Sequence, residues 1–192
     1  MEEFSFYFVE GWQHIISNDA LDHQLFILAL AVIYTFSDWK KVLILVTAFT
    51  IGHSLTLALS VLDVFRIPSN WVEFLIPLTI VFTAAWNIFA ASHKKMGTNY
   101  WLALCFGLVH GMGFANTIRM MLASDESLVT GLLGFNIGLE VGQVCVVFII
   151  LLFTKLVTDL VKIPRKPYIR VVSGIVLVIS AVMAWQRIPF FS

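Results

Sequence analysis

The chain of 192 residues is 59% hydrophobic and 14% aromatic, with only 12% charged, against about 25% charge in a soluble domain. That composition excludes a water-facing globular domain, and twelve basic residues balancing twelve acidic ones give no net charge to support a nucleic-acid partner, so none is expected. The partner it does imply is a lipid bilayer, because apolar stretches recur at about 20 residues, the length that crosses roughly 30 Å of hydrocarbon.

Met1 to Phe8 opens with Glu2 and Glu3, and no small-residue cleavage site follows a short apolar core, so the N-terminus does not read as a signal peptide. Phe4 to Ser17 is rich in aromatics but interrupted by Glu10, Gly11, Gln13 and His14. Too short to cross, it predicts an interfacial or re-entrant helix over 4–17. Spans follow at 21–37, 42–62, 71–91, 100–122, 128–156 and 171–187, joined by short loops. The expected fold is an all-α membrane protein, a bundle of about six transmembrane helices in one domain over 1–192.

Basic residues near the ends of spans are retained on the cytoplasmic side. Lys40, Lys41, Lys94, Lys95, Lys155, Lys162, Arg165, Lys166 and Arg170 share one side, nine of the twelve, leaving Arg66, Arg119 and Arg187 for the other. Both termini are therefore expected to face outward. Glu2, Glu3, Glu10, Asp19, Asp22, Asp63, Glu73, Asp125 and Glu126 map to that same outer side, so the outer mouth should concentrate cations.

A charged or imidazole group in hydrocarbon costs a few kcal/mol, so such residues usually face a cavity or a partner and point to function. His14 and Asp19 precede the first span, Asp22 and His23 begin it, and His53, His110 and Glu140 lie near the middle of the second, fourth and fifth spans. Their similar depths predict that the last three converge, with Asp22 and His23 on their outer side. In the fifth span Asn136, Glu140 and Gln143 recur at helical spacing as a polar stripe, with Gly134, Gly138 and Gly142 opposite, a face on which another helix can pack closely. Gly107 and Gly111 do the same beside His110, and Thr50, Ser54 and Thr56 put hydroxyls around His53. Phe49-x-x-x-His53 is echoed by Phe106-x-x-x-His110. His93, beside Lys94 and Lys95, reads as a solvated loop residue, and Glu10 and Asp19 as mouth or capping residues. Met120 and Met121 read as packing or lipid-facing residues, and Cys105 and Cys145, without a CxxC spacing, as small buried hydrophobes.

Imidazoles with one or two carboxylates suit a borderline divalent transition metal, Ni, Co, Zn or Fe(II). Each histidine taken singly also fits a structural hydrogen bond to a neighbouring helix.

At these residues the chain resembles the HupE/UreJ family, hydrogenase and urease accessory membrane proteins regarded as nickel or cobalt permeases. The likeness covers most of the chain and is closest to the shorter branch. It runs through His14-Ile15, Leu21-Asp22-His23-Gln24-Leu25-Phe26, Thr47 to Leu57, Phe106-Gly107-Leu108-Val109-His110-Gly111-Met112-Gly113-Phe114-Ala115, and Phe135-Asn136-Ile137-Gly138-Leu139-Glu140-Val141-Gly142-Gln143. It implies a protein of the bacterial inner membrane that handles a divalent metal ion, nickel or cobalt ahead of zinc or iron. His14, Asp22, His23, His53, His110 and Glu140 are the metal-handling positions it implies. Ala20 departs from the Gly expected before the Asp-His pair, so the turn entering the first span should differ. The expected function is a permease with a site open to the outer side. The alternative is a membrane metalloenzyme in which a fixed metal activates water and Glu140 or Asp22 is the base. A metal sensor or assembly partner is a third reading, and association into a homo-oligomer is left open.

Overall fold

A computed structural model describes residues 2–89, 96–114, 117–118, 120 and 128–189. His93, Lys94, Lys95, Arg119, Met121, Asp125 and Glu126, on which some sequence expectations rest, lie outside the described residues. The described chain forms α1 (Glu2–Ile16), α2 (Leu21–Ala31), α3 (Trp39–Val61), α4 (Ser69–Phe89), α5 (Met96–Gly113), α6 (Leu128–Lys155) and α7 (Arg165–Gln186), with no strand among those residues. Short 3-10 turns lie at Asn18–Ala20 and Phe36–Asp38, and α6 ends in a wider π turn, Leu156–Leu160.

Among the described residues four stretches, Phe36–Val61, Ser69–Phe89, Val129–Leu160 and Arg165–Gln186, are long and apolar enough to cross a bilayer. Phe82, Phe148, Phe153 and Val178 are exposed on them, and lipid accommodates such surface where water would not. The chain is an integral membrane protein. Of the six expected spans, four coincide with these stretches, and the other two fall on shorter helices. α5 has 18 residues and is not among the four. The first expected span, 21–37, is α2, whose 11 residues rise only about 16 Å, then a turn and the 3-10 segment.

A helix that stops inside a bundle leaves carbonyls that lipid cannot satisfy, and here side chains from elsewhere supply the donors. Gln24 Nε2 donates to the carbonyls of Ile15 (3.1 Å) and Ser17 (2.9 Å), closing the end of α1. Asn87 Nδ2 from α4 donates to Ala29 O at 2.6 Å, and Arg165 Nη2 at the head of α7 donates to Tyr34 O at 2.7 Å and Val32 O at 3.4 Å. The cationic guanidinium also suits the negative end of the α2 dipole.

Glycine faces fix two helix pairs. Gly134 meets Phe4 and Tyr7, Gly138 meets Phe8 and Trp12, and Gly142 meets Ile15. The numbers rise together, so α1 runs parallel to α6, packed along it rather than flat on a surface, with Tyr7, Gly11 and Ile15 buried. A Cβ on Gly138 would run into the Phe8 carbonyl, so the approach requires glycine. Gly107 against Phe49, and Gly111 against the His53 carbonyl and Thr56, likewise hold α5 parallel to α3. α4 packs against α7. Its internal Pro77 has no N–H, leaving the Glu73 carbonyl without its usual helical donor at the end of α4 that borders the site.

Candidate metal centre

Four histidines from four helices meet where these pairs come together. The glycine face of α6 sets His14 in α1, the first turn of α2 carries His23, and the close α3–α5 approach places His53 and His110 on facing helices. One ring nitrogen from each of His14, His23 and His53 lies within 4.8 Å of the others. The His14 and His23 ring centroids are 4.6 Å apart, and each is 5.9 Å from His53. The His110 ring lies 5.2 Å from His23.

Hydrogen bonds assign the nitrogens. Asp22 Oδ1 accepts from His23 Nδ1 at 2.9 Å and from the His23 backbone N–H at 2.8 Å. His110 Nδ1 donates to the Phe106 carbonyl at 2.8 Å. In the neutral ring each of these bonds puts the proton on Nδ1 and leaves the Nε2 lone pair facing the cluster. The Nε2 atoms of His14, His23 and His110 and both nitrogens of His53 are buried with no hydrogen-bond partner in the protein. Each such orphan costs about 1–3 kcal/mol, a cost that coordination to a shared cation removes.

The residues fit such an ion. Imidazole nitrogens suit Ni, Co, Zn and Fe(II). Two nitrogens bound to one ion at about 2.0–2.1 Å each are at most roughly 4 Å apart, so the triad needs to close by only about 1 Å to share it. Rings wall the centre: Phe114 and Phe135 stand 4.2 and 5.4 Å from His14, and Phe49 and Phe26 stand 5.0 and 5.3 Å from His110. An apolar shell of this kind controls water access around a metal.

A cavity of about 470 Å³ leads to the cluster. His14, His23 and His110 line it, together with the carboxylates of Glu10, Asp19, Asp22 and Glu73 and the guanidinium of Arg187. Asp19 and Glu73 are exposed at its mouth, whereas His53, 0% exposed, lies behind the other imidazoles. The carboxylates give the approach the sign that draws cations inward.

Glu140 was expected to meet His53 and His110, but it bonds elsewhere. Its Oε1 accepts from Thr47 Oγ1 at 2.6 Å, and its Oε2 pairs with the Thr50 hydroxyl, which also reaches Gln143 Oε1 at 2.9 Å. This polar cluster occupies the α3–α6 seam, with Thr50 three residues before His53. The structure thus gathers His14, Asp22, His23, His53 and His110, while Glu140 bonds to Thr47 and Thr50.

Sequence reasoning did not single out the phenylalanine walls, Glu73 as a lining residue, or Arg187 as part of the site. The Phe-x-x-x-His echo held a signal for the first: the Phe49 ring lies 6.0 Å from His53, and the Phe106 carbonyl orients His110.

The model of one protein family, described as HupE / UreJ protein, matches residues 1–187. No curated protein and no solved structure was found to match.

Proposed function

This chain belongs to the HupE/UreJ family, and on that premise we propose that it is a membrane permease for a divalent transition metal of the nickel and cobalt type, loaded through the acidic cavity. The observation that carries this reading is the set of partnerless imidazole nitrogens at the floor of a carboxylate-lined cavity. Glu10, Asp19 and Glu73 gather the cation and begin to replace its water. His14, His23 and His53 then take it through ring nitrogens, with His110 beside them and Asp22 holding the His23 ring in its ligating tautomer. A triad that must tighten to bind gives a modest affinity, as turnover requires. The cavity and both termini face away from the cytoplasm, in a bacterial inner membrane.

The metallohydrolase reading with Glu140 or Asp22 as base is weakened because Asp22 is tied to His23 and Glu140 is hydrogen-bonded to two threonines. The test is uptake of Ni²⁺ or Co²⁺ by proteoliposomes holding the purified full chain. Uptake by the wild type that is lost in His53→Ala supports the permease. Tight stoichiometric metal without uptake would replace it with an enzyme or sensor.

A further inference from the structure

Among the described residues lining the cavity, one side chain carries a permanent positive charge, Arg187, and it stands among four carboxylates. It caps the C-terminal end of α7, its backbone N–H bonded to Ala184 O at 3.2 Å. Its side chain is 35% exposed, and Nη1 lies 3.8 Å from Asp22 Oδ2. The other Asp22 oxygen is the one that orients His23. One carboxylate thus joins the imidazole centre on one side and a partly exposed guanidinium on the other.

The separation is informative. A charge-assisted N–H···O bond is about 2.7–2.9 Å long, so at 3.8 Å the guanidinium balances the charge of Asp22 without being locked to it. Arg187 is a third exposed at the end of α7, whereas His23 and His53 are buried in the bundle.

We propose that Arg187 is a built-in stand-in for the cargo: it neutralises Asp22 in the cation-free site and is expelled when a divalent cation arrives, so that loading is an exchange of charges. A divalent ion brings two charges against the one that it displaces. A monovalent ion brings no more charge than the arginine already supplies, and so gains nothing by displacing it. The residue therefore sets selectivity for divalent over monovalent cations, a role that rests on the permease reading above.

The experiment measures Ni²⁺ binding by calorimetry to the full chain in detergent, in rising Na⁺ and, as an ionic-strength control, rising N-methylglucamine. Removing the competing charge in Arg187→Gln should tighten Ni²⁺ binding by about tenfold. It should also make that binding fall more steeply in Na⁺ than in N-methylglucamine, a difference absent from the wild type. Arg187→Lys, which keeps the charge, should behave like the wild type. In an Asp22→Asn background Arg187→Gln should tighten Ni²⁺ binding by clearly less than tenfold, because the charge that it balanced is already gone, and an equal gain in both backgrounds would overturn the stand-in role. Wild-type affinity and wild-type salt behaviour in Arg187→Gln would overturn the stand-in role while leaving the permease intact. Failure of both the wild type and Arg187→Gln to bind Ni²⁺ would overturn the two together.

Discussion

Asp22→Asn separates a metal-handling role from a structural one. The carboxylate accepts two hydrogen bonds from His23, at 2.9 Å from Nδ1 and 2.8 Å from the backbone N–H. Asparagine keeps the shape and an acceptor oxygen but loses the charge that makes the imidazole a stronger ligand. Loss of such an outer partner typically costs about 10–100-fold in metal affinity, or about 1.4–2.7 kcal/mol. The structural cost should be smaller. The ion pair given up is the 3.8 Å contact between Arg187, 35% exposed, and Asp22, 15% exposed, which is too long for a charge-assisted hydrogen bond and is worth about 1 kcal/mol. For a chain of this size 1 kcal/mol moves the melting temperature by about 2–4 °C. Calorimetric titration with Ni²⁺ beside thermal unfolding in the same detergent checks both. An unchanged Ni²⁺ affinity with a melting temperature lowered by many degrees would refute the reasoning, because Asp22 would then be holding the bundle and not the metal ligand.

Gly138→Leu should lower folded yield and thermal stability, since its Cβ would meet the Phe8 backbone, whereas Gly174→Ala, with no atom within 4 Å of the new Cβ, should be neutral or gain about 0.5–1 kcal/mol; equal melting curves for Gly138→Leu and wild type would show that α1 does not seat there. Glu140→Gln should lower thermal stability through its threonine bonds by about 1–3 kcal/mol and leave Ni²⁺ affinity largely intact, and an affinity loss equal to that of His53→Ala would return Glu140 to the metal site. Tags at either terminus should report the outer compartment and the Lys162 to Arg170 segment the cytoplasm; labelling of a cysteine at Lys166 from outside intact cells would reverse the orientation.

Much of the centre was legible because few residue types can carry its chemistry. Each histidine that the structure gathers stands in a sequence otherwise poor in polar groups, and the cost of burying imidazole in lipid is what marks it. The glycine faces were legible for a similar reason, as helical spacing of small residues reports close approach whatever the partner. Identity of the partner was not. Gly134, Gly138 and Gly142 receive α1, a segment whose sequence gave no sign of which helix it would follow. The partners of Glu140 were not legible, because periodicity gives its face on α6 but not the rotation of that face against α3, which turns it to Thr47 and Thr50. The stretch 21–37 read as one span because hydropathy does not register a break whose carbonyls are satisfied from elsewhere, by Asn87 and Arg165. Arg187 looked like an outer-side charge, since only the fold brings the end of α7 to the start of α2.

The most direct test of the central claim is X-ray absorption at the nickel edge of the purified chain loaded with one equivalent of Ni²⁺. The expected spectrum shows nickel bound by the imidazoles of His14, His23 and His53, with one imidazole fewer in His53→Ala. A shell of oxygen ligands alone, the same in wild type and His53→Ala, would contradict it.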